Sequence, residues 1–230
     1  MSSGGGGGST PKLIDDNLKS KQFLRVLDLI SEGPIYGPVD QSHLSSFMLN
    51  DTPVTDAAGG ITINGVSVAW RPGTASQAPI NGFNTVEATT VVNAAVTQST
   101  PLVRTVTDTD VDRVRMNIGV SGLVEQDTKG NQHETTVSMV IETRVGSGSW
   151  QIQKTVTIRG KQSGEYLEAH LIDAPQTKPF DIRLRRITPD STSDLLNNGT
   201  IWNSYTEITD DNLSYPYAAI AGCVVDRDQY

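Results

Sequence analysis

Apolar and polar positions alternate residue by residue through much of the chain between about residues 101 and 187. Val114, Met116, Ile118 and Val120 alternate with Arg113, Arg115, Asn117 and Gly119, which places the first set on one buried face of a strand. Val137, Met139, Ile141 and Val145 keep the same period. So do Trp150, Ile152, Val156 and Ile158, with residues 146–149 as the hairpin loop between the two runs. Residues 166–172 and 180–187 add two more strands, the second with Phe180, Ile182 and Leu184 opposite Asp181, Arg183 and Arg185. Short strands at this spacing, with no helix long enough for a crossover, predict an antiparallel β-sandwich of immunoglobulin or fibronectin-III type and exclude a parallel α/β fold.

The pattern before this region differs. Asp15 and Asp16 are placed to cap a short helix through Leu18, Phe23, Leu24, Val26, Leu27 and Ile30, with Phe23, Leu27 and Ile30 on one helical face and Val26 alongside. Gly33 and Pro34 would stop it. Strands are expected again over residues 61–70 and 86–96, joined by a loop carrying prolines and glycines at 71–82. Ahead of all these, five consecutive glycines at 4–8 predict a flexible arm over residues 1–10.

Composition narrows the function classes. The 230 residues hold 18 Lys plus Arg against 26 Asp plus Glu, a net charge of −8, which opposes a general grip on phosphate backbones. One cysteine removes any internal disulfide or cysteine-built metal cage. No apolar run approaches the ~20 residues that span a bilayer, and glycines stand where a signal peptide would need charged and apolar regions. These features lead us to expect a soluble protein made in a cytoplasm.

Catalytic signals are weak throughout. Asp108, Asp110 and Asp112 are spaced like the first ligands of a calcium loop, but Arg113 and Gly119 occupy the positions that need glycine and glutamate, so a polar turn explains them equally well. His43, His133 and His170 fall in no zinc-binding spacing, and His170 is expected on a surface face of its strand. Cys223, in the apolar run 218–225, reads as a small buried hydrophobe. Arg183, Arg185 and Arg186 form a basic cluster. It is either an anion or partner contact or a charged outer sheet face, and Asp181 and Asp190 beside it favour the latter.

Three stretches carry a resemblance. They are Asp16-Asn17-Leu18-Lys19-Ser20, then Ile30-Ser31-Glu32-Gly33-Pro34-Ile35 with Gly37-Pro38-Val39-Asp40, and Thr188-Pro189-Asp190-Ser191-Thr192. With Trp202-Asn203-Ser204-Tyr205-Thr206-Glu207-Ile208, Tyr215-Pro216, Val225-Asp226 and Gln229, their order resembles the tail-tip attachment (host-specificity protein J) family of lambda-like long-tailed bacteriophages, over essentially the whole chain.

The resemblance implies a mainly β protein: a fibronectin-III/immunoglobulin-like β-sandwich inserted in a β-rich hub domain, with one short N-terminal helix. The expected boundaries are the arm at 1–10, hub at 11–93, inserted sandwich at 94–198 and returning hub at 199–230. It further implies a non-enzymatic virion component at the tail tip, acting in tail assembly and host attachment. Its partners would be other phage tail-tip and tail-tube proteins, with a homotrimer in the assembled tail, no cofactor, no membrane contact and no specific nucleic-acid binding. Family members are several times longer, with the receptor-binding fibre near the carboxyl end, so an excised piece or a truncated prophage frame is expected. Leu18, Phe23, Arg25, Val26 and Ile30 are the expected contacts with neighbouring hub elements, unless they pack only on this chain's own sheet. The rival reading is a free-standing immunoglobulin-like binding module, an adhesin or carbohydrate binder, using Trp70, Trp150 or Trp202 as platforms. A β-sandwich hydrolase is a third.

Overall fold

A computed structural model describes residues 11–19, 23–211 and 213–226; the glycine-rich arm lies outside the described residues. The described chain is built from strands: β1 (Phe23–Glu32), β2 (Met48–Leu49), β3 (Thr52–Pro53), β4 (Val66–Pro72), β5 (Thr85–Val96) and β6 (Leu102–Val106). Then come β7 (Arg113–Val120), β8 (Val124–Gln126), β9 (Gln132–His133), β10 (Thr135–Val145) and β11 (Gln151–Gly160). The last five are β12 (Tyr166–Asp173), β13 (Phe180–Arg186), β14 (Leu196–Asn197), β15 (Thr200–Asp210) and β16 (Ala218–Asp226). They fall into two compact units.

The first unit gathers Glu87–Ile208 with the described residues 11–19. It is a sandwich of two four-stranded sheets, ordered β11-β10-β13-β6 and β12-β7-β15-β5. Alternation puts Val114, Met116 and Ile118 of β7, Phe180, Ile182 and Leu184 of β13, and Met139 and Ile141 of β10 into one core around Trp202. Because β5 and β15 are continuous strands, this unit is wider than 94–198. Residues 202–208, expected in the hub return, pair with β7 instead.

Two local readings change inside the sandwich. A register shift between Ile141 and Glu142 in the β10–β11 pairing breaks the period, so Val156 and Ile158 are buried while Ile152 is 63% exposed. His170 shares the inward face of β12 with Tyr166 and Ile172, and its side chain is only 13% exposed rather than lying on the surface.

The second unit comprises residues 23–86 and the described residues from 209 to 226. Its main sheet has the order β1-β16-β4, antiparallel throughout, with Val26 opposite Cys223 and Cys223 opposite Val68. The expected N-terminal helix is therefore corrected. Residues 11–19 have no helical turn, and Phe23–Glu32 is a strand. The local 3.6-residue spacing loses because β16 offers this segment a ladder running from Phe23↔Asp226 to Glu32↔Ala218, and that tertiary pairing outweighs a helical pattern with no face to bury. The sheet packs closely at its middle strand: a Cβ on Gly222 would stand 2.6 Å from the ring of Phe83. Gln77, buried at one end of the sheet, accepts from the Gly73 N–H and donates to the carbonyls of Ser214, Tyr215 and Ala218.

Candidate functional site

The expected contact residues separate on folding. Leu18 lies in the segment ahead of β1 and packs against the sandwich core. Phe23, Arg25, Val26 and Ile30 all lie on β1, an edge strand of its sheet. On a strand, neighbouring side chains point to opposite faces, so the helical set dissolves: Phe23 and Leu27 share one face and Val26 takes the other. Phe23, Leu24, Leu29 and Ile30 each keep more than half of their surface exposed, and Arg25 is exposed beside them. Both faces of β1 thus carry exposed apolar side chains, and among the described residues no strand pairs with its outer edge. A bulge between Leu29 and Ser31 bends the far end of the strand.

The sandwich carries the densest electrostatics. Glu142, 4% exposed on the central strand β10, accepts from Arg183 Nε at 2.8 Å and from Arg185 Nε and one of its terminal nitrogens at 3.2 Å. Arg144 donates to Asp181 at 2.7 Å, which together with Thr105 holds that carboxyl below its usual range. Trp150 is flanked by the guanidinium groups of Arg144 and Arg183, 4.4 and 4.0 Å from its ring centroid. Arg183 and Arg185 accordingly share the Glu142 carboxylate on a charged sheet face.

Arg186 behaves differently from its neighbours, and sequence reasoning missed it by grouping the three arginines together. It is in phase with Phe180, Ile182 and Leu184, and its side chain is 1% exposed. It donates to the carbonyls of Thr188, Pro189 and Asn198 at 2.6–2.9 Å and to Thr200 Oγ1 at 3.1 Å. This one side chain therefore shapes the loop containing Thr188-Pro189-Asp190-Ser191-Thr192. The alternation along β13 was the available signal.

The other candidates resolve into local structure. The Asp110 N–H donates to the Asp108 carboxylate at 2.9 Å, the polar turn that the sequence allows. Glu168 accepts from Tyr166 at 2.9 Å and contacts His170 Nε2 at 2.9 Å; the histidine contact first, then the tyrosine, lowers its carboxyl pKa against the opposing effect of burial. Burial raises the Cys223 thiol, which suits a packing role. Tryptophan platforms are poorly placed. Trp202 is fully buried, Trp150 is flanked as described, and the Trp70 ring lies against Gly37. Among the described residues no cluster of histidine, cysteine or carboxylate side chains could hold a metal ion.

Comparison with known proteins now bears on this geometry. A family model for the FNIII-A domain of tip attachment protein J matches residues 86–211, more than half of the chain and nearly the whole sandwich. The chain belongs to the tip attachment protein J family. Two relatives carry the name Tip attachment protein J. That of Escherichia phage SECphi27 is 29% identical over 238 residues, covering all of this chain and 20% of the relative. That of Escherichia phage SECphi4 is 32% identical over 220 residues, covering 94% of this chain and 19% of the relative. The chain spans about one fifth of the length of these tip attachment proteins. Its FNIII-A domain accounts for the sandwich, while the strands of the β1-β16-β4 sheet all lie in sequence outside the family match.

Proposed function

We propose that this chain is a structural part of a bacteriophage tail tip, the hub portion of a tip attachment protein J with its fibronectin-III-like domain inserted. It acts in tail assembly and, within the complete protein, in host attachment. It works without catalysis, by presenting surfaces and holding them rigidly, at the tail tip of the virion as one of three copies. Its partners are other tail-tip and tail-tube proteins.

The observation that carries this reading is the combination of the FNIII-A match with an edge strand whose two faces both carry exposed apolar side chains. A strand of that kind is an aggregation hazard unless an assembly covers it. Phe23, Arg25, Val26 and Ile30 of β1, with their exposed neighbour Leu24, are the proposed contact residues, while Leu18 is spent on its own sandwich. The test pairs Leu24→Ser with Ile30→Ser. In the isolated chain these exposed positions change stability by no more than about 0.5 kcal/mol. Placed at the corresponding positions of a complete tip attachment protein, they cut the yield of assembled tails by about tenfold or more, because the covered interface loses two apolar anchors. An unchanged tail yield would refute the assignment.

A further inference from the structure

Residues 11–19 lie extended across the sandwich, held by groups far away in sequence. The Asn17 N–H donates to the Lys161 carbonyl at 3.0 Å, and the Lys161 N–H returns to Asn17 Oδ1 at 2.8 Å, so one asparagine completes a strand-like exchange by itself. Its amide nitrogen donates to Glu134 Oε1 at 2.6 Å. Farther back, the Gln132 N–H donates to the Lys12 carbonyl at 2.9 Å and the Lys12 N–H donates to Asn131 Oδ1 at 2.7 Å. Asp16 Oδ1 accepts from Lys161 Nζ at 2.7 Å and from the hydroxyl and N–H of Ser163 at 2.9 and 3.1 Å. Leu18 then packs against the core cluster.

We propose that the surface around Lys161 is a peptide-acceptor site for one extended segment reading acid, amide, aliphatic, occupied here by this chain's own residues 11–19 and able to take the same segment from outside. Three features mark a site rather than an incidental contact. The Lys161 side chain is only 7% exposed, and an ammonium so far out of water needs the carboxylate that Asp16 brings. Gly160 leaves the space the segment fills: a Cβ there would lie 2.5 Å from Asn17 Oδ1 and 2.7 Å from Leu18 Cδ2. The acceptor groups at 131–134 and 160–163 all fall within the FNIII-A match, whereas the segment they hold falls outside it. The two are more than a hundred residues apart along the chain, so the contacts must also offset the entropy of closing a long loop.

The specificity follows from the chemistry. Asp16 answers a buried cation, Asn17 offers both a donor and an acceptor to backbone and carboxylate, and Leu18 supplies the apolar anchor. Replacing any of them leaves a partly buried partner unmatched.

The test uses the full chain with its own segment disabled by Asp16→Ala, Asn17→Ala and Leu18→Ser, titrated with a fluorescein-labelled synthetic peptide of residues 11–19. Saturable binding is expected, weakened about tenfold or more by an added Lys161→Met or by Asn17→Ala in the peptide. The unsubstituted chain, whose site is filled, should bind far less. Absence of saturable binding, or equal binding to both chains, would overturn the proposal. If the disabled chain does not fold, hydrogen exchange on the unsubstituted chain decides. The amides of Asn17, Lys161, Ser163 and Gln132 should be protected and should all exchange faster in Lys161→Met; exchange at free-peptide rates before substitution would equally overturn it.

Discussion

Arg186 and Lys161 are both cations taken out of water, and each shows how a charge can organise a loop. Arg186 gathers three carbonyls and a hydroxyl that have come off the regular ladder. Arg186→Met should therefore cost about 3 kcal/mol or more, since several acceptors lose a charged donor at once, and urea denaturation of the chain would show it. Glu207 gives the opposite case. Burial first, and then the Asp108 charge, raises its carboxyl pKa, so the folded state favours the protonated form. Stability from this group is highest at acid pH and falls as pH rises through its ordinary 4.5 towards the raised value. Glu207→Gln should accordingly raise the melting temperature at neutral pH and leave it nearly unchanged in acid. Asp16 has the contrary sign. Its pKa is lowered, mainly by the Lys161 and Ser163 hydrogen bonds, so its hold on residues 11–19 is complete at neutral pH and fades as acid takes it below its ordinary 3.8. The protection of the Lys161 amide, taken relative to the intrinsic exchange rate at each pH, should fall over that acid range and stay constant above it.

At the scale of elements, β1 separates local from tertiary causes. Phe23, Leu27 and Ile30 satisfy a helical period, and Asp15 and Asp16 look like capping residues; nothing within ten residues contradicts a helix. What decides the conformation is β16, almost two hundred residues later. The pairing is directly testable, because Val26 stands opposite Cys223. A Val26→Cys chain should form an intramolecular disulfide on mild oxidation, read as the loss of two hydrogens from the intact mass, and do so faster than Leu27→Cys, whose side chain points to the other face. The strands of the sandwich were legible because each has one buried face, as in β7 and β13, and the pleat then writes its period into the sequence. The β10–β11 hairpin was only half legible. A single bulge shifted Ile152 out of phase with Val156, and a bulge leaves no compositional mark here.

For the whole molecule, the two units are unequal in core. The sandwich buries a continuous cluster from Val96 to Tyr205, whereas the buried apolar residues described in the other unit are few: Val54, Ile80, Ala219 and Ile220. Unfolding should then proceed in two steps, with the amides of β1, β4 and β16 exchanging with solvent before those of β7, β10 and β13. Hydrogen exchange followed by mass spectrometry would resolve the order. A partner that covers β1 should raise the stability of the first step and leave the second alone.

The amino-acid sequence by itself determined that most of this chain would be an antiparallel sandwich, because burial on one side of a pleated strand imposes a two-residue rhythm wherever it occurs. Its ordered motifs also marked the family that the comparison bears out. The tertiary structure alone decided that β1 is a strand with exposed apolar side chains on both faces, that Arg186 lies inside while Arg183 and Arg185 lie outside, and that Asp16 and Asn17 hold Lys161 instead of capping a helix. Each of these depends on a partner distant along the chain, and local periodicity carries no information about which distant segment arrives.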